Sequence, residues 1–184
     1  MLALDKAGKV FAWGCGDQNQ LGRRAFAGHP ELALRPTSIG TLPRRGAKAA
    51  RVACGSYHSF IIDTDGQVYA CGLNTYAELG IPDEAGESNS FQLKPRRVES
   101  LQDYKITDIA GGEHHSLACT DDGKLLTWGR IDGFQVGLRA ESFTPDNAVF
   151  DDRNKPRILL EPTVVPGKEN ITILIVSSRE SVTD

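Results

Sequence analysis

The residues with chemical reach are few, and their spacing is regular. His58 and His115 close two copies of one motif, Cys54-Gly55-Ser56-Tyr57-His58-Ser59 and Gly111-Gly112-Glu113-His114-His115-Ser116, set 57 residues apart. Histidines that recur at one position of a repeat are expected to serve structure, bonding neighbouring backbone rather than ligating metal. His114 is the additional one. Adjacent residues of an extended segment point to opposite sides, so with His115 turned inward His114 is free to meet a partner; the plainer alternative is a local hydrogen bond. The four cysteines, Cys15, Cys54, Cys71 and Cys119, form no Cys-x-x-Cys pair and read as reduced thiols of an intracellular chain. No nucleophile with a base beside it and no metal-ligand set emerges, so covalent catalysis, a metal centre and a cofactor are not expected. What remains is recognition through polar side chains.

Lys and Arg total 21 against 24 Asp and Glu, a net charge of −3, so no global field favours nucleic acid or a membrane surface. The local exception is the stretch 23–51, where Arg23, Arg24, Arg35, Arg44, Arg45, Lys48 and Arg51 stand against the single acid Glu31. Such a loop suits phosphate or acidic-patch contacts, or is solvated charge and nothing more. The most apolar run, 171–176, falls far short of the roughly 20 residues that span a bilayer. Residues 83–88 and 146–153 look like solvated insertions between strands.

These residues must be positioned by a repeated element. Asp5-Lys6-Ala7-Gly8, Asp63-Thr64-Asp65-Gly66 and Thr120-Asp121-Asp122-Gly123 each precede a short apolar run ending in Trp13-Gly14, Cys71-Gly72 or Trp128-Gly129, and those last glycines stand 58 and then 57 residues apart. Leu21-Gly22, Leu79-Gly80 and Val136-Gly137 follow in step. Asp-x-x-Gly between alternating runs suits a hairpin, with Asp bonding the turn and Gly in the left-handed position. Gly14, Gly72 and Gly129 are expected where strands crowd and a Cβ would obstruct. Trp13 and Trp128 are expected to pack blade against blade. Pro36, Pro95 and Pro156 are expected to open outer edge strands that can spare an N–H.

About four strands per repeat with no helical periodicity predicts an all-β chain of four-stranded antiparallel propeller blades. Three repeats, about 2–59, 60–116 and 117–170, would form a partial propeller over 1–170, with 171–184 as a divergent tail. A β-solenoid is the structural rival, but its rungs are usually shorter than this period.

The string Gly14-Cys15-Gly16-Asp17-Gln18-Asn19-Gln20-Leu21-Gly22-Arg23, with Gly72-Leu73-Asn74-Thr75-Tyr76-Ala77-Glu78-Leu79-Gly80, Gly111-Gly112-Glu113-His114-His115-Ser116 and Gly129-Arg130-Ile131-Asp132, resembles the regulator of chromosome condensation family over about residues 2–166. The resemblance implies a seven-bladed ring and, for its chromatin-bound members, nucleotide exchange on the small GTPase Ran inside the nucleus. It places His114 and Arg23 on the GTPase-facing surface, with Tyr57, Asn74, Arg130 and Asp132 on the same face. It implies nucleosome contact, to histones and the DNA backbone, through the basic loop that holds Arg35, Arg44, Arg45 and Lys48. Ala77 departs from the family, whose exchange factors tend to carry His there.

A ring of seven such blades needs roughly 400 residues, so the resemblance also implies a fragment with open blade faces. Such a chain is expected to be poorly soluble or dimeric, with 171–176 near an open edge. The rival function is a non-catalytic propeller scaffold for some other protein partner.

Overall fold

A computed structural model of the chain describes residues 1–24, 31, 33–83 and 85–167; the tail 171–184, and with it the run expected at an open edge, lies outside them. The described residues form twelve strands in three antiparallel sheets and no α-helix. The first sheet pairs β1 (Leu2–Leu4), β2 (Val10–Ala12) and β3 (Thr37–Ser38) in that order. The second runs β4 (Ala49–Cys54), β5 (His58–Asp63), β6 (Val68–Leu73) and β7 (Phe91–Arg97). The third contains β8 (Ile106–Gly111), β9 (His115–Thr120), β10 (Leu125–Arg130), β11 (Ala148–Phe150) and β12 (Pro156–Val164), ordered β8-β9-β10-β12-β11.

Each hairpin turn is built as its sequence requires. Asp5 Oδ1 accepts the N–H groups of Ala7 and Lys9, and Asp63 Oδ1 those of Asp65 and Gln67. In the third copy the hydroxyl of Thr120 accepts from Lys124 N. Gly8, Gly66 and Gly123 close the turns at φ 81°, 80° and 82°, a region costly for a residue with a Cβ.

The sheets stack face to face. Phe60, Ile62, Val68 and Ala70 of the second sheet pack with Ile106, Ile109, Ala118, Leu126 and Trp128 of the third, while Ile61 and Tyr69 turn the other way, toward Val10 and Ala49. Every residue of β5 is therefore buried, since alternation in a strand covered on both faces leaves no solvent side. The repeat limits at 59/60 and 116/117 fall inside β5 and β9. Sequence periodicity sets a period but not its phase, and the hydrogen bonds group β4 with β5 and β8 with β9.

Two expectations for the third repeat are corrected. Residues 146–153 are not a simple solvated insertion: Ala148–Phe150 forms β11, which adds a fifth strand outside β12. Its turn is an Asp-x-x-Gly turn in disguise, with Asp151 Oδ1 accepting from Arg153 N and Lys155 N and Asn154 taking the left-handed position at φ 56°. Pro156 consequently starts an interior strand, not an edge. The counterpart of Pro95 is Pro162: a Cβ on Gly22 would touch the Pro95 ring, one on Gly80 would touch the Pro162 ring, and Val98 N→Val68 O at 2.9 Å is matched by Val165 N→Leu125 O at 2.8 Å.

Candidate functional site at the seam of the second and third sheets

The sheets approach closely where the Gly-x-x-His motifs meet. A Cβ on Gly55 would lie 2.3 Å from Cε1 of His58, and one on Gly111 2.6 Å from the Cα of Gly55, so glycine is required for the rings and inner strands to fit. His58 is fully buried, and its Nε2 lies 3.0 Å from the hydroxyl of Ser116 across the seam. Ser116 Oγ donates to the carbonyl of Glu78 at 2.8 Å, so it accepts from His58, which carries its proton on Nε2. His58 thus bonds a side chain of the next sheet and not, as expected, backbone. Burial pushes its imidazole down to about 3, with His115 and His114 nearby adding to the effect. The half-buried His115, its ring against Gly112, is lowered in the same way.

Gly72 and Gly129 stand at φ 111° and 101°, where added Cβ atoms would fall 2.4 Å from Tyr57 O and 2.6 Å from His114 O. Trp128 is fully buried, meets Phe60 edge-on at 6.0 Å and donates from Nε1 to Glu78 O at 2.8 Å. Trp13, at the same repeat position, is only half-buried. Its backbone pairs with Met1, and Gly14 beside it, φ 103°, has no neighbour nearer than 3.9 Å to an added Cβ.

On the rim above this core the turn before β9 carries His114 to the seam. Its Nδ1 lies 2.8 Å from Oε1 of Glu78, a carboxylate with no exposed surface whose Oε2 accepts from Tyr76 N. The ring is flanked by Tyr57 at 5.3 Å, nearly parallel, and by Tyr76 at 4.9 Å, tilted by 52°. Arg130 lays its guanidinium over the other aromatic, 5.1 Å from the Tyr76 centroid, while its Nε and a terminal nitrogen grip Asp132 at 2.6 and 3.1 Å. Arg157 adds a third contact to Asp132 at 3.0 Å. The bond from Arg130, with the charges of both arginines, holds the Asp132 carboxyl below its usual range. Tyr57, Tyr76 and His114, with Gln18, Leu73, Thr75 and Ser88, line an open groove of about 370 Å³.

The structure therefore gathers His114, Tyr57, Arg130 and Asp132 on one rim. Arg23 is half-buried and turned back on its own sheet, donating to Ala12 O at 3.3 Å. Asn74 is corrected: it is fully buried, its carbonyl takes Leu79 N and its amide serves Ile81 O, Asp83 O and Ser90 Oγ. It shapes the loop and offers no polar atom to a partner. Tyr76 and Glu78 join the site beyond the residues the sequence points to; both differ from their repeat counterparts, Gln18 and Gln20 in the first copy and Gly133 and Gln135 in the third.

In the basic loop Arg44 is committed to the neighbouring hairpin, pairing with Asp65 and, at 3.3 Å, with the buried carboxylate of Asp63, which also accepts from Tyr69. Arg35, Arg45 and Lys48 are exposed. Among the described residues no group of three His, Cys, Asp or Glu side chains could hold a metal ion.

Stacked antiparallel blades, locked by a histidine–serine bond and carrying a polar rim, define a β-propeller repeat protein. The chain belongs to the regulator of chromosome condensation (RCC1) repeat family, whose model matches residues 7–62 and 65–119. It is 37% identical over 182 residues to Protein pim1 of Schizosaccharomyces pombe, covering 99% of this chain and 33% of that protein. It is 34% identical over 182 residues to guanine nucleotide exchange factor SRM1 of Saccharomyces cerevisiae, covering 99% of this chain and 36% of that one. The crystal structure of Prp20p from Saccharomyces cerevisiae, a protein characterised for binding to Gsp1p and histones, superposes with a TM-score of 0.79 at 34% identity, over 90% of this chain and 36% of that one. The chain thus spans about a third of the length of these relatives.

Proposed function

We propose that this chain supplies part of the working face of a nuclear, chromatin-associated guanine-nucleotide exchange factor for Ran. The observation that carries the reading is the rim at the second seam, between the second and third sheets, where His114 packs against two tyrosines beside the Arg130–Asp132–Arg157 cluster. Exchange of this kind needs no covalent step. A factor that binds the GTPase better without nucleotide than with it lowers the barrier to nucleotide release, and a rigid rim of polar and aromatic groups suits that work because little of it must be ordered on binding. His114, Tyr57, Arg130 and Asp132 make the contacts, joined by Tyr76, and Arg23 must leave its bond to Ala12 O to join them. Exposed Arg35, Arg45 and Lys48 face the nucleosome, and Arg44 orients their loop.

The test is a chimera in which residues 1–167 replace the matching segment of SRM1. Release of labelled GDP from Ran should be accelerated by the chimera, and by about tenfold less after His114→Ala, the loss of one hydrogen bond to a fixed partner. A folded chimera that binds Ran but leaves GDP release at its spontaneous rate would refute the reading in favour of a scaffold role.

A further inference from the structure

The three loops that follow β2, β6 and β10 are copies of one device. Asn19, Ala77 and Phe134 hold φ 62°, 57° and 60°. The next residue folds its side chain back onto the loop: Gln20 Oε1 accepts from Gln18 N at 2.9 Å, Glu78 Oε2 from Tyr76 N at 2.8 Å, and Gln135 Oε1 from Gly133 N at 2.8 Å. A glutamine does this work in two loops of the three, so the loop itself does not require a carboxylate. The acid occurs in the loop that faces His114, whereas the glutamine of the first loop belongs to the seam where Tyr57 holds the equivalent place.

We propose that Glu78 is a positioning residue that fixes the proton of His114 on Nδ1, so that the groove offers a partner the ring's Nε2 as a hydrogen-bond acceptor. A carboxylate can only accept, and both oxygens of Glu78 are engaged, Oε2 by Tyr76 N and Oε1 by His114 Nδ1 at 2.8 Å. The imidazole must therefore donate from Nδ1, and the neutral ring is left with an unprotonated Nε2. The rings of Tyr57 and Tyr76 pack against it, at 5.3 and 4.9 Å between centroids. The main chain of Glu78 is anchored, because its carbonyl accepts from both Ser116 and Trp128. The group recognised is thus an N–H or O–H donor. That this donor belongs to Ran rests on the function proposed above.

Glu78→Gln separates the two duties. Its Oε1 can keep Tyr76 N, as Gln20 and Gln135 do in their own loops, but its NH₂ cannot accept from Nδ1. The ring must then accept at Nδ1 and carry its proton on Nε2, turned from acceptor to donor toward the groove. Ring-nitrogen NMR of the full chain at alkaline pH, where imidazole is neutral, should show His114 protonated at Nδ1 and the variant protonated at Nε2, with other amide shifts retained. Affinity for nucleotide-free Ran should fall about tenfold, one lost hydrogen bond to a fixed partner. Unchanged His114 nitrogen shifts in Glu78→Gln would overturn the proposal. So would an inverted tautomer with unchanged Ran affinity, given that His114→Ala weakens binding. If the tautomer inverts and neither variant affects Ran, Glu78 stands as the positioning residue and Ran is rejected as the occupant.

Discussion

Acid should weaken this fold through one histidine. His58 is fully buried with Nε2 spent on Ser116, and its imidazole sits at about 3 against an ordinary 6.5. Because the folded value is the lower one, the unfolded chain takes up the proton first. The contribution of His58 is complete above about pH 6.5 and is lost progressively as pH falls toward 3. Each unit below 6.5 costs about 1.4 kcal/mol, so at pH 5 the fold should be about 2 kcal/mol less stable than at pH 7 on this account alone, a large share of the 5–15 kcal/mol typical of a domain. Half-buried His115 has the same sign. Urea unfolding at both pH values, for the parent chain and His58→Gln, isolates the effect, since glutamine can still meet Ser116 Oγ but does not titrate. The stability gap between parent and variant should narrow by about 2 kcal/mol from pH 7 to pH 5. A gap that stays constant would refute the assignment of a buried neutral imidazole.

Two contrasts test the seams. Trp128→Ala should cost about 3–5 kcal/mol in denaturant unfolding, because it opens a cavity against Phe60 and removes the bond to Glu78 O, whereas Trp13→Ala at the half-buried copy should cost no more than about half of that. Gly129→Ala should destabilise by at least about 2 kcal/mol, since strain at φ 101° is joined by a collision with His114 O; Gly14→Ala, with the same φ but open space around it, should cost clearly less.

Much of this architecture was legible in the residues. The Asp-x-x-Gly turns announced three hairpins, and Thr120 performs the Asp role with its hydroxyl. The fourth hairpin was hidden because Asn154 replaces the glycine and β11 is three residues long, too short for alternation to show. The same insertion shifted the proline match from Pro162 to Pro156. At the site, the doubling of His114 and His115 singled out His114, whose Nδ1 makes the local hydrogen bond, to Glu78, that was the plainer reading, while its ring still lines the groove. Asn74 misled because the resemblance implies a place on the partner-facing rim, while its amide is consumed inside. Glu78 stands out beside Gln20 and Gln135, but only the stacking of sheets shows that it crosses to the next repeat's histidine.

The central claim is that the second seam recognises a GTPase in its nucleotide-free state. Affinity of the SRM1 chimera for nucleotide-free and GDP-loaded Ran, before and after His114→Ala, tests it most directly. Preference for the empty GTPase by about tenfold or more, reduced by the substitution, is the expected result. Equal affinity for the two states, or a preference indifferent to His114, would contradict it.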